Sequence, residues 1–389
     1  MTETNPAAAL RVPRILFGAG ARARLNEVVA ELGATRPLIV TDEFHAATGV
    51  AAALAALLPE AAVAVFSGAV PDPTVSSVDA AVAAARDHRA DAIIGLGGGS
   101  PLDTAKAVAL LTLRGGRMRD YRAPVVTVGA SLPIVAIPTT AGSGSEATQF
   151  TIITDDTGDS AEKMLCAGPV FLPAIAIVDP ELTASMPPRL TADTGVDALT
   201  HAVEAYVSRK ATPLSDTFAL RAIGLVGGSL LRAYRDGADA AARSDMMLAS
   251  LLAGIAFSNS SVALVHGMSR PIGAHFGIAH GLSNALLFAE VTRFSLPGAV
   301  GRYADCARAL GVANAATPDA DAADALATAI DELVATLDVP AASALVDVAA
   351  WSAAIPVMAE QALASGSPAN NPVVPTHAEI AALYARLTD

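Results

Sequence analysis

The chain has 389 residues, 53% of them apolar but only 4% aromatic, and a formal charge of -13 with histidine neutral. That length exceeds what one hydrophobic core usually serves, so two domains are expected, and the acidic balance argues against nucleic acid or an anionic membrane surface as a partner. Its two cysteines, Cys166 and Cys306, lie far apart and in no CxxC pattern, which argues against a disulfide framework or a thiolate metal site and points to the cytoplasm.

Residues 1 to 6 lack the basic and apolar regions of a signal peptide and read as a short disordered tail. The strand-like Arg14 to Phe17 runs into Gly18-Ala19-Gly20-Ala21-Arg22-Ala23, a GxGxxA match. A lone match is a weak signal, and the segment after it, with Arg22, Arg24 and Asn26, makes no clear phosphate-facing helix. Short β-branched runs at Leu38 to Thr41, Ala61 to Phe66, Ala92 to Leu96, Ile134 to Pro138 and Ile175 to Val178 alternate with Ala-rich helical segments, the pattern of an α/β domain with a largely parallel sheet. Asp42, at the end of one such strand, suits an adenosine ribose. Its carboxylate would accept from both hydroxyls and repel a 2′-phosphate, favouring NAD over NADP. The longest apolar stretch considered as a membrane span, around Val50 to Phe66, is interrupted by Pro59 and Glu60, and the chain reads as soluble.

The strongest local signal follows Ala92: a strand passes through Gly97, Gly98 and Gly99 straight into a helix beginning Ser100-Pro101-Leu102-Asp103. Three glycines let backbone N–H groups approach a ligand, and the unpaired N–H groups of a helix N-terminus favour a phosphate. Ser100 reads as the N-cap, Pro101 as the first helical residue and Asp103 as the acid of a capping box. A second small, hydroxyl-rich loop, Pro138-Thr139-Thr140-Ala141-Gly142-Ser143-Gly144-Ser145-Glu146, also leaves a strand. Paired with the triple glycine, it points to a dinucleotide crevice.

From about Ser185 onward the text becomes helical, with no convincing strand, so the domains are expected at 1–185 and 186–389. Asp197 and His201 are four residues apart on one helical face and can chelate one ion. His266, His275 and His280 fall within fifteen residues among helix breakers, in a segment that can fold so that two of them converge. One carboxylate with imidazoles is a donor set without a soft ligand, suited to Fe2+ or Zn2+. Asp193 reads as a helix-start acid, and Ala-rich Asp319 to Ala335 as an amphipathic helix. Ser365 to Pro375 reads as a loop before a last helix.

Gly97-Gly98-Gly99-Ser100-Pro101-Leu102-Asp103-Thr104-Ala105-Lys106, Pro138 to Glu146, Asp197-Ala198-Leu199-Thr200-His201-Ala202-Val203-Glu204, and His266-Gly267-Met268 through His280-Gly281 together resemble the iron-containing (group III) alcohol dehydrogenase family over nearly the whole chain. The resemblance implies an N-terminal α/β dinucleotide-binding domain with a mostly parallel sheet and an all-α, metal-binding C-terminal domain. It implies Asp197, His201, His266 and His280 as metal ligands. It implies Asp42, Gly97, Gly98, Gly99, Ser100, Asp103, Thr139, Thr140, Ser143 and Lys163 as NAD contacts, with Lys163 orienting the nicotinamide ribose. The expected chemistry is hydride transfer between a small alcohol or aldehyde and NAD in a homodimer or larger assembly. Arg270 stands where many members carry a further histidine, which leaves His275 as the candidate proton relay, and Phe150 with Phe257 suggests an apolar pocket wall. A hydroxyacid-oxoacid transhydrogenase and, further off, a lyase like dehydroquinate synthase are the competing readings.

Overall fold

A computed structural model of the chain describes residues 9–157 and 162–388, so the expected N-terminal tail lies outside the described residues. The backbone forms two compact units, one spanning Arg11–Ser185 and the other running from Met186 to the C-terminal end.

The first unit is built on a six-stranded, all-parallel sheet. In chain order it contains β1 (Arg14–Phe17), α1 (Leu25–Glu31), β2 (Pro37–Val40), α2 (Glu43–Ala47), α3 (Val50–Ala55), β3 (Ala64–Phe66), α4 (Val75–His88), β4 (Ala92–Gly97), α5 (Gly99–Arg114), β5 (Ile134–Pro138), β6 (Phe150–Asp155), β7 (Glu162–Ala167) and β8 (Ile175–Val178). The sheet order is β1-β8-β5-β4-β2-β3, and β6 and β7 form a separate antiparallel pair. Strand side chains alternate between the two faces. Leu38, Val40, Ile93 and Ile134 pack with α4 and α5, while Ile39, Ile94, Leu96, Val135 and Ile137 pack with α1 and α3.

The chain therefore changes faces between β2, whose following helix α3 covers one side, and β4, whose following helix α5 covers the other. In an open α/β sheet the crevice beyond the strand ends at such a switch point is where ligands bind. The β6–β7 hairpin, absent from the expected elements, packs Ile153, Met164 and Cys166 onto the α4–α5 core.

Under that hairpin lies a buried polar cluster. Lys106 of α5 is fully buried, and its ammonium donates to Ser145 Oγ at 2.8 Å, Thr148 Oγ1 at 2.8 Å and the Phe150 carbonyl at 2.7 Å. Burial pushes its pKa down to about 8 against the opposing pull of Asp103 and Glu146. Burial likewise pushes Glu146 up to about 7, with a backbone hydrogen bond and Lys106 opposing it.

The second unit is helical throughout its described residues. It comprises α6 (Pro188–Val207), α7 (Pro213–Arg235), α8 (Ala240–Asn259), α9 (Leu264–Phe276), α10 (His280–Ser295), α11 (Val300–Leu310), α12 (Asp319–Thr336), α13 (Ala342–Leu345), α14 (Val348–Ala364) and α15 (His377–Arg386). Helix α6 is the central element, packed against α7, α8, α9, α10 and α11. Among the described residues, helices α7 and α8, not the Val50 to Phe66 region, are the segments long and apolar enough to cross a membrane, by length and composition alone. They pack against one another and against α6. Asp193 is not a helix-start acid: α6 begins at Pro188, and Asp193 is buried more than a turn inside, paired with Arg189.

Candidate functional site

In the first unit, ladder register assembles the loops. Val40 pairs with Gly95 and Gly97 pairs with Pro138, so the residues just past β2, β4 and β5 emerge side by side. Gly97 has φ +143, and a Cβ there would lie 2.6 Å from Pro101 Cγ and 3.5 Å from Asp42 Oδ2. A Cβ on Gly98 would come within 3.3 Å of Thr140, and one on Gly99 within 3.1 Å of Ser143 Cβ. Asp42, the glycine loop with Ser100, and the Thr139–Thr140–Ser143 loop thus converge at the switch point. Asp42 Oδ1 caps α2, accepting from the His45 amide at 2.9 Å and lying 2.7 Å from His45 Nδ1, which leaves Oδ2 beside the glycine turn.

The expected start of α5 changes. The N-cap of α5 is Gly98, with no side-chain cap, so Ser100 lies inside the first turn and no capping box forms. The cause is the positive φ of Gly97, which turns the chain into the helix before Ser100 is reached. Asp103 is instead buried against the hairpin segment, where Oδ1 accepts from Ser145 Oγ at 2.6 Å and Oδ2 from the Ile152 amide at 2.8 Å. Lys163, on β7, pairs with Asp72 at 2.7 Å. Both oxygens of Asp103 and the Lys163 ammonium therefore have partners within the protein.

The GxGxxA match after β1 is filled from within. The Gly20 and Arg22 amides donate to the Asp179 carboxylate at 3.1 and 3.2 Å, and the Arg22 guanidinium pairs with it at 2.6 Å. An internal carboxylate sits where a phosphate would sit in a nucleotide fingerprint.

The second unit brings Asp197, His201 and His266 together, with ligand-capable atoms all within 4.8 Å of one another. From Asp197 Oδ1, His266 Nε2 lies at 3.4 Å, His201 Nδ1 at 3.6 Å and His280 Nε2 at 3.7 Å. His275 is the histidine that does not converge. Asp197 and His201 project from one face of α6, His266 comes from the first turn of α9, and His280 begins α10. The close approach of α10 to α6 requires glycine at 281, where a Cβ would fall 2.3 Å from the Asp193 carbonyl oxygen.

The electrostatics suit a cation. Burial pushes the Asp197 carboxyl up, but His201, His280 and a hydrogen bond with His266 outweigh it and hold the carboxyl well below the usual carboxylate range. Burial pushes His201 down to about 3, so its imidazole is neutral. His201 Nδ1 and Asn284 Oδ1 are buried with no hydrogen-bond partner. Asn284 Nδ2 stands 2.7 Å from Asp197 Oδ1, 3.2 Å from His266 Nε2 and 3.4 Å from His280 Nε2. Donors about 2.1 Å from a tetrahedral divalent ion stand about 3.4 Å apart, so the spacing, the orphaned polar atoms and the one-carboxylate, three-imidazole donor set all fit such an ion.

Glu204 supports this set, a role that its residue type and motif position alone do not assign. Its carboxylate lies 2.6 Å from His266 Nδ1 and accepts from the Ala263 and Val265 amides at 2.9 and 2.6 Å. It thereby satisfies the start of α9 and orients the His266 ring. The signal was available, because Asp197, His201 and Glu204 follow i, i+4, i+7 spacing along one helical face. Phe257 stacks on His201 with ring centroids 4.3 Å apart.

His275 is exposed, its Nε2 2.9 Å from Gln361 Oε1. Nine positions at about 100° each turn it to the opposite side of α9 from His266, so the expected proton relay is not in place. Arg270, four positions on, shares the His266 side.

Residues 13–180 match the family described as iron-containing alcohol dehydrogenase, and residues 191–388 match the C-terminal part of the Fe-containing alcohol dehydrogenase family. Alcohol dehydrogenase 4 of Schizosaccharomyces pombe is 38% identical over 98% of this chain and 90% of its own length. The NAD-dependent methanol dehydrogenase of Bacillus methanolicus is 36% identical over 95% of this chain and 96% of its own. The crystal structure of a 1,3-propanediol oxidoreductase superposes with a TM-score of 0.93 at 34% identity, covering 98% of this chain and all of that one. With family matches that span both units and relatives above 30% identity over nearly its whole length, the chain belongs to the iron-containing alcohol dehydrogenase family.

Proposed function

We propose that the protein is an NAD-dependent, metal-dependent alcohol dehydrogenase that moves a hydride between a small alcohol or its aldehyde and the nicotinamide. The observation that carries this is the ring of three imidazole nitrogens 3.4 to 3.7 Å from one buried carboxylate oxygen. A divalent ion held by Asp197, His201, His266 and His280, Fe2+ or Zn2+ by donor chemistry, would polarise the substrate oxygen as a Lewis acid. The protein's own groups prepare that site. Glu204, 2.6 Å from His266 Nδ1, would keep the proton on that nitrogen and leave Nε2 as the donor atom to an ion. The Phe257 ring shields His201 from water.

In the first unit, the Gly98 and Gly99 amides at the start of α5 receive the pyrophosphate. Thr139, Thr140 and Ser143 supply hydroxyls beside it, and Asp42 receives the adenosine ribose. The buried, unpaired thiols Cys166 and Cys306 accord with a cytoplasmic setting.

The test is NADH formation by Fe2+- or Zn2+-loaded protein across small primary alcohols and diols. Stoichiometric release of NADH supports a dehydrogenase, whereas NADH that stays bound and recycles identifies a transhydrogenase. A loaded protein that reduces no NAD with any alcohol overturns the proposal.

Cofactor choice gives a separate check. Asp42→Ser keeps an N-cap for α2 but removes the charge beside Gly97. The NAD over NADP preference in kcat/KM is expected to fall roughly tenfold, the worth of one charge-assisted hydrogen bond. An unchanged ratio would place the ribose elsewhere.

A further inference from the structure

Arg270 lies four residues after His266 on α9, so its side chain rises from the same helical side, with Cβ atoms about 5–6 Å apart. Its Nε is buried and has no hydrogen-bond partner, and its Nη1 reaches Ser367 Oγ at 3.2 Å. Among the described residues no carboxylate pairs with it. Glu204 is the acid whose charge reaches it, but both Glu204 oxygens are already engaged by the Ala263 and Val265 amides and the His266 ring.

Arg243, a buried arginine of this unit, shows what a structural guanidinium looks like here. Arg243 donates from Nε to Gly237 O, from Nη1 to Thr191 Oγ1 and from Nη2 to Met186 O, so all three nitrogens are satisfied. Arg270 keeps a donor unmet while the group as a whole retains partial access to solvent. Leaving a buried Nε–H unpartnered on a cation that has no counter-charge is costly, and an incoming anion relieves the cost.

The position is also fixed in advance. Pro368 packs on α9 at Gly267, where a Cβ would lie 2.8 Å from Pro368 Cδ, and this holds Ser367 beside the guanidinium.

We propose that Arg270 determines substrate specificity by receiving the carboxylate of a short hydroxycarboxylate whose hydroxyl is the group oxidised at the adjoining Asp197–His266 cluster. The planar guanidinium matches a carboxylate with two parallel hydrogen bonds, which an ammonium does not. This assignment rests on the dehydrogenase reading for the reaction but not for the binding.

The experiment compares kcat/KM of metal-loaded wild type, Arg270→Met and Arg270→Lys for short ω-hydroxycarboxylates and for diols of matching chain length. Calorimetric titration with propanoate, a carboxylate that cannot be oxidised, is run on loaded and metal-stripped protein. Wild type is expected to favour the hydroxycarboxylate by roughly tenfold or more, mainly through KM, and Arg270→Met to erase that preference, since the hydrogen bonds between these charged partners are lost. Arg270→Lys should recover part of it. Propanoate should bind stripped wild type and not stripped Arg270→Met, which separates capture by the guanidinium from capture by a metal. A wild type that prefers diols, or a preference that survives in Arg270→Met with metal content intact, overturns the assignment. Arg270-dependent propanoate binding in a protein that oxidises no alcohol would instead sink the dehydrogenase reading and leave the anion subsite standing.

Discussion

A His266→Ala variant is expected to purify without its metal and to oxidise alcohols at least roughly a thousandfold more slowly than wild type, since Lewis-acid polarisation contributes several kcal/mol. His266 is flanked by two carboxylates, Asp197 at 3.4 Å and Glu204 at 2.6 Å. Burial disfavours its cation, but the two acids outweigh that and raise its pKa. Truncating the ring leaves three donors and an Asp197 carboxylate with less to offset its burial. The fold should survive, because Glu204 still holds the first amides of α9. Metal analysis together with far-ultraviolet circular dichroism checks both halves of the expectation. Glu204→Gln should be graded, with metal affinity lowered about 10- to 100-fold. A His266→Ala protein with full metal content would show that the cluster is not where the ion sits.

Lys106→Met should destabilise the first unit by about 3–5 kcal/mol, the usual cost of breaking a buried charge cluster from one side. The methionine fills much of the space, so the loss is electrostatic rather than a cavity. Ser145 Oγ, Thr148 Oγ1 and the Phe150 carbonyl lose their donor, and Asp103 and Glu146 lose the cation opposing their burial. These residues tie α5 to the hydroxyl loop and to β6, so the variant should also raise KM for NAD. Calorimetric unfolding of wild type and variant measures the first effect. A change below about 1 kcal/mol would mean that the cluster is already compensated without the lysine.

The sequence showed most of what the sheet needed. Runs such as Ile134 to Pro138 and Ile175 to Val178 are strands at the expected residues, because strands buried on both faces are written as unbroken apolar text. The β6–β7 hairpin was not legible. Phe150–Asp155 and Glu162–Ala167 mix Thr, Lys and Glu with apolar residues, and their pairing with one another, with β6 laid against α5, makes them strands. The metal cluster could be read because its donors have chemical identities that few other roles require. The proton relay could not, since nearness in sequence says nothing about the side of a helix, and His275 faces away from His266. Lys106 was visible only as part of a motif. Its burial depends on Ser145 and Thr148, about forty positions downstream, which no local pattern reports.

The acid at position 179 has one more implication, for stoichiometry. Because its side chain already occupies the amides of the first glycine turn, a dinucleotide arriving at this sheet meets one open berth and one that is closed from inside. Each polypeptide should therefore titrate with a single equivalent of NAD, despite carrying two sequence stretches that advertise for it.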